Sequence, residues 1–193
     1  DDFAELLRHP EVDVVDLCVP TEYHASLAQQ AFEAGKHVFS EKPIALTTAE
    51  ADACLAAAKK AGKQYFVGQV LPFFPEFQYA LNYVRGGAGG KLLAAHLRRL
   101  ICKPTWRKGP QADGPAVDLH IHDNHFICIL AGTPTAVRSK GHVDTEGVVQ
   151  HVETQYLYPE VATCVTASSG ALYQPAWGFS HGYTLLMEKA TLA

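Results

Sequence analysis

The chain has 193 residues, 48% hydrophobic and 19% charged, and a formal net charge of −4 from 16 basic and 20 acidic side chains. That composition excludes a disordered chain. It offers no basic patch of the kind a nucleic acid or an anionic membrane surface requires.

No apolar run approaches the roughly 18 residues of a membrane span. The opening Asp1-Asp2-Phe3 is acidic and helix-like rather than signal-like, so a cytoplasmic location is expected. Met187 is the only methionine, which points to an N-terminus cut from a longer protein. Cys18, Cys54, Cys102, Cys128 and Cys164 are isolated and odd in number, with no C-x-x-C spacing. They read as small core residues in a reducing compartment, not as disulfides or zinc ligands.

In chain order, residues 2–8 suit a short amphipathic helix. Residues 12–19, V-D-V-V-D-L-C-V, suit a strand covered on both faces, as in a parallel sheet. Thr21 is the expected N-cap of the next helix, which stops at Gly35. Residues 37–40 form a second strand, followed by Glu41-Lys42-Pro43. Thr48 is the expected cap of a helix ending at Gly62, and residues 64–70 form a third strand. Alternating helices and strands predict right-handed crossovers and a doubly wound parallel sheet.

The pattern changes after Val70. A helix over 76–85 leads through Gly86-Gly87-Ala88-Gly89-Gly90 into a long strand at 91–101. A loop rich in proline and glycine, a helix ending at Gly132, and strands at 136–142, 149–157, 161–168 and 183–188 follow. Consecutive strands without intervening helices predict a mostly antiparallel sheet. The predicted organisation is α/β: a partial Rossmann domain over residues 1–71, then an α+β domain with an open sheet over residues 72–193.

Ligands of doubly wound folds sit at the carboxyl ends of the strands. Pro20-Thr21 and Glu41-Lys42-Pro43 both fall there. A lysine so placed can polarise a carbonyl or stabilise a developing alkoxide. The stretches P-E-V-D-V-V-D-L-C-V-P-T-E-Y-H and E-A-G-K-H-V-F-S-E-K-P resemble the Gfo/Idh/MocA oxidoreductase family. The resemblance implies an N-terminal Rossmann domain and a C-terminal domain with an open, mostly antiparallel sheet. It implies that Lys42 is the catalytic-site lysine, and that Pro20, Thr21, His24, Glu41 and Lys42 line the nicotinamide side of an NAD or NADP cleft. Thr21-Glu22 departs from the family pattern, which often has a polar Asn there.

Downstream, Asp118 and His122 stand four apart and would share a helix face. A carboxylate beside an imidazole orients it and raises its basicity, and histidine suits the removal of an alcohol proton. The resemblance implies an Asp-x-x-x-His pattern here, framed by Gly114 and Gly132, with Asp118 as orienter and His122 as proton acceptor. His120 and His125 read as solvent-facing or capping residues. Trp106 and Arg107, in the preceding loop, are candidate substrate contacts through stacking and hydrogen bonds. The resemblance further implies a sugar or polyol substrate and a homo-oligomer, dimer or tetramer.

Two other readings are open to the sequence. Asp118-Leu119-His120-Ile121-His122 also fits the D-x-H-x-H strand motif of metal-dependent hydrolases, in which two histidines on one strand face share a metal. The alternative is a noncatalytic binding or scaffold relative. No G-x-G-x-x-G turn between a strand and a helix occurs in the chain. The glycine-rich first portion of the dinucleotide domain is therefore expected to precede Asp1, and these 193 residues alone are expected to bind dinucleotide weakly.

Overall fold

The computed structural model describes residues 2–102, 114–159, 164–172 and 178–193, excluding the side chains of residues 115, 116 and 172. The chain divides into two compact units, Asp1–Gln69 and Val70–Ala193.

In the first unit, α1 (Phe3–Arg8) is capped by Asp2, whose carboxylate accepts the Ala4 N–H at 2.9 Å. There follow β1 (Val14–Leu17), α2 (Thr21–Glu33), β2 (His37–Ser40), α3 (Thr48–Ala61) and β3 (Tyr65–Val67). The three strands lie side by side in sequence order, all parallel. Val15, Leu17 and Val38 pack beneath Ala25, Ala28 and Phe32 of α2 and Cys54 and Ala58 of α3. Small alanines on the buried helix faces let both helices lie close to the sheet.

Within these residues α2 and α3 cover one face of the sheet, and Val14, Phe39 and Phe66 stand exposed on the other, the face that the other half of a doubly wound fold covers with its helices. Two right-handed crossovers stepping the same way across a sheet put both helices on the same side. Two caps also shift. Thr21 is the first residue of α2, behind Pro20 at the cap position. Thr47, not Thr48, caps α3, in a reciprocal capping box with Glu50. β3 is shorter than predicted, because Gly68 turns the chain and a 3-10 turn at Leu71–Phe73 follows.

The second unit contains α4 (Pro75–Arg85), β4 (Leu92–Cys102), α5 (Gly114–Ala131), β5 (Ala136–Val143), β6 (Val149–Leu157), β7 (Cys164–Leu172), β8 (Ser180–Met187) and β9 (Thr191–Leu192). Their spatial order is β5-β6-β7-β4-β8-β9. Only β4 and β7 pair in parallel; the other neighbours are antiparallel. The long crossover through α5 lets the β5-β6-β7 meander return with β7 running alongside β4. The core joins Phe77 and Leu81 of α4, Phe126 and Ile127 of α5, and Leu97, Val165 and Leu185 of the sheet. Phe77 and Phe126 meet edge to face with ring centroids 4.8 Å apart.

The cysteine expectation holds for one residue only. Cys54 is buried, Cys102 is intermediate, and Cys18, Cys128 and Cys164 are exposed. Cys164 opens β7 and Cys128 lies in α5, each away from the packed face, and Cys18 lies just past the end of β1, so an apolar neighbourhood in sequence did not bury them. Among the described residues no helix is long and apolar enough to cross a membrane.

Candidate active-site elements

The Glu41-Lys42-Pro43 turn leaves the carboxyl end of β2 within a net of backbone bonds. Glu41 N–H donates to Leu17 O at 3.1 Å, continuing the β1–β2 ladder by one residue. On the other side, Gly68 N–H donates to Ser40 O at 2.8 Å. The buried Ser40 hydroxyl donates to Glu41 O at 3.1 Å, and Lys42 N–H donates to Glu41 Oε2 at 3.2 Å. Lys42 is half-buried and Pro43 is buried, with a cis Lys42–Pro43 peptide bond.

His24, in the first turn of α2, is buried against this turn. Its Nδ1 lies 2.7 Å from Pro43 O and its Nε2 2.9 Å from Val19 O. Pro20 is exposed and Thr21 buried at the start of the same helix. The first unit thus brings Pro20, Thr21, His24, Glu41 and Lys42 to one end of the parallel sheet. That is the end where doubly wound folds bind ligands.

In the second unit the Asp118–His122 segment is helical, within α5. Asp118 and His122 are both half-buried and lie one turn apart on one helix face. The strand that a D-x-H-x-H metal motif needs is absent from this segment. On a helix His120 and His122 point roughly 200° apart, so they cannot share a metal as alternate strand residues do. Among the described residues no group of three or more His, Cys, Asp or Glu side chains is placed to hold a metal ion.

His120 does not face solvent. It is buried between α5 and the sheet, with Nδ1 2.8 Å from Ser169 Oγ and Nε2 2.9 Å from Thr154 Oγ1. Ser169 Oγ donates to Asp123 Oδ2 at 3.1 Å. Asp123 Oδ1 in turn receives Arg99 Nη2 at 3.0 Å, and its Oδ2 receives Arg99 Nε at 3.3 Å. At the other end, Ser139 Oγ lies 2.9 Å from Thr154 Oγ1. Tyr156, with its hydroxyl 3.2 Å from His120 Nε2, also bonds Asn124.

This chain has one self-consistent direction of donation. Because Ser169 gives its proton to the Asp123 carboxylate, it accepts from His120 Nδ1–H. His120 Nε2 is then an acceptor, served by Thr154, which accepts from Ser139. Every member is satisfied with a neutral imidazole. Burial, with a smaller push from His151, drives the His120 pKa down to about 4. Burial also raises the Asp123 carboxyl, against the pull of Arg99 and Ser169. Arg99 and Asp123 are 3% and 1% exposed, so this ion pair is a fixed part of the interior. The network pins the sheet-facing side of α5 across β4, β6 and β7, and so sets which way the opposite face, with Asp118 and His122, points.

The sequence reading missed this network. The signal was present: charged Arg99 stands on the β4 face that carries Ala95 and Leu97, and Asp123 stands three before Phe126 on the apolar side of the helix. His125 is half-buried rather than solvated, and burial pushes its pKa down. Trp106 and Arg107 lie outside the described residues.

Known proteins place the chain. Residues 1–69 match the family model GFO_IDH_MocA, described as "Oxidoreductase family, NAD-binding Rossmann fold". The uncharacterized oxidoreductase YrbE of Bacillus subtilis is 32% identical over 147 residues, 72% of this chain and 42% of that protein. The levoglucosan dehydrogenase of Pseudarthrobacter phenanthrenivorans is 34% identical over 147 residues, 72% of this chain and 38% of that protein. A probable dehydrogenase from Thermotoga maritima superposes with a TM-score of 0.85 at 25% identity, covering 100% of this chain and 60% of the solved one. The chain therefore spans less than half the length of these curated relatives. The motif at the end of β2, the parallel sheet that carries it and the matched residues 1–69 lead to one conclusion: the chain belongs to the Gfo/Idh/MocA oxidoreductase family.

Proposed function

We propose that these residues work in an NAD(P)-dependent oxidoreductase that moves a hydride between a hydroxyl-bearing carbon of a sugar or polyol and nicotinamide. The observation that carries the reading is Lys42, held at the carboxyl end of β2 in the part of the chain that matches an NAD-binding Rossmann family. The levoglucosan dehydrogenase among the relatives supports a sugar-like substrate.

The carboxyl ends of β1 and β2, with Pro20, Thr21, Glu41 and Lys42, suit the nicotinamide side of a dinucleotide. When bound, the dinucleotide supplies the hydride acceptor, and the protein supplies position and electrostatics. In the oxidation direction His122 accepts the hydroxyl proton. Asp118, one turn earlier on α5, orients the imidazole and stabilises its charged form. Lys42 lowers the cost of negative charge on the substrate oxygen. A cytoplasmic homo-oligomer, dimer or tetramer, is the proposed setting.

Alanine substitution of Lys42 and of His122 in the full-length protein tests these roles by steady-state kinetics. Each is expected to lower kcat by about 10²–10⁴, the range for losing a general base or a charge-stabilising group. Unchanged turnover in both variants would falsify the assignment.

A further inference from the structure

His24 joins two pieces of backbone that are far apart in sequence. Its ring is 1% exposed, and each nitrogen stands at hydrogen-bond distance from a carbonyl oxygen, Pro43 O at 2.7 Å and Val19 O at 2.9 Å. Carbonyl oxygens only accept, so the imidazole is the donor to whichever it bonds: a ring with one N–H serves one carbonyl, and only a ring protonated on both nitrogens serves both. Val19 lies just past β1, and Pro43 is the residue after Lys42.

The upstream side of Lys42 is tied to both neighbouring strands by the Glu41 and Gly68 amides. On its downstream side the backbone leaves the sheet and begins the run to Thr47, and there the imidazole meets the Pro43 carbonyl. A turn anchored at both ends presents its central side chain in one direction. A turn anchored only upstream can swing.

We propose that His24 is a positioning residue for Lys42, acting through the Pro43 carbonyl from behind the turn rather than through contact with the dinucleotide. The Nδ1–H bond to Pro43 O, the shorter of the two contacts, ties the turn to a ring that α2 holds beside the end of β1. With both nitrogens against carbonyl oxygens and the ring buried, His24 presents no polar atom to a ligand. This inference rests on the reading of Lys42 as a catalytic residue.

The test compares three substitutions in the full-length enzyme with its cofactor. The side-chain amide of Asn stands near the place of Nδ1, and that of Gln near the place of Nε2. His24→Asn therefore keeps a donor for Pro43 O, His24→Gln keeps one for Val19 O, and His24→Leu keeps neither. The expected result is kcat within a few-fold of wild type for His24→Asn. His24→Gln and His24→Leu are expected to lose roughly 10- to 100-fold in kcat, the scale of a reacting group misplaced by about 1 Å. Substrate KM and cofactor Kd should stay within about three-fold, because the role is orientation and not binding.

Equal kcat in the Asn and Gln variants overturns the proposal, as does a loss confined to KM or cofactor affinity. If circular dichroism shows that His24→Leu does not fold, the Asn–Gln comparison decides alone. Lys42→Met, measured alongside, separates the two readings. Lost turnover in Lys42→Met with wild-type kcat in the His24 variants overturns the positioning role only. Wild-type turnover in Lys42→Met overturns the Lys42 reading and this inference with it.

Discussion

Between pH 6.5 and pH 4 the imidazole of His120 has a different proton affinity in the folded and the unfolded chain. Its folded pKa is pushed down to about 4 from an ordinary 6.5, first by burial. In that window the unfolded chain binds more protons, so stability rises with pH. The contribution is complete above about pH 6.5 and is lost as pH falls through the window. The full loss is about 3 kcal/mol, at 1.36 kcal/mol for each pKa unit. Chemical denaturation of the wild type and of His120→Gln at pH 7.5, 5.5 and 4.5 checks this. The wild type should lose stability steeply toward acid, and the variant should lose less; parallel pH profiles would reject His120 as the source. The histidine itself was plain in the sequence. Its burial was not, because its partners Thr154, Tyr156 and Ser169 come from strands 34 to 49 residues downstream.

At the scale of elements, α3 shows how local rules succeed when they are applied in full. Thr47 and Thr48 are adjacent, exposed and equally good N-caps by type. Glu50 decides between them, since a capping box needs the acid three residues after the cap. That spacing selects Thr47, whose hydroxyl accepts the Glu50 N–H at 3.2 Å. Thr47→Ala should cost about 1 kcal/mol, while Thr48→Ala should stay within about 0.5 kcal/mol. Urea unfolding distinguishes them, and a larger cost at Thr48 would show that the cap lies elsewhere. The 3.6-residue period of α5 was equally legible and placed Asp118 and His122 on one face. What periodicity could not supply is the rotation of that helix over its sheet, which the Arg99–Asp123 pair and the His120 chain determine.

At the scale of the molecule, the proposed dinucleotide function is divided between what these residues carry and what they do not. The ends of β1 and β2 supply the nicotinamide-side groups proposed above. A pyrophosphate site requires a glycine turn and a helix N-terminus whose free N–H groups bind the anion. No G-x-G-x-x-G turn occurs in the 193 residues. These residues alone should therefore bind NAD at least roughly 100-fold more weakly than a full-length protein containing that turn. Titration calorimetry on both measures this directly, and equal affinity would place the main binding energy at the strand ends instead.

The order of elements, the parallel character of the first sheet and the Glu41-Lys42-Pro43 motif followed from the sequence by itself. Each depends on neighbours a few residues away: apolar runs, caps, glycine stops and a short motif after a strand. Tertiary structure alone decided the rest. It put α2 and α3 on the same face of the first sheet, because both crossovers step the same way across it. It made the second sheet mixed, because α5 carries the chain back so that β7 runs beside β4. It also turned three histidines of similar appearance to different uses. His24 lies behind a turn, His120 lies within a buried network, and His122 faces away from that network on the other side of the same helix. A histidine's surroundings are set by whichever strands and carbonyls the fold brings to it, and those lie beyond the reach of any local pattern.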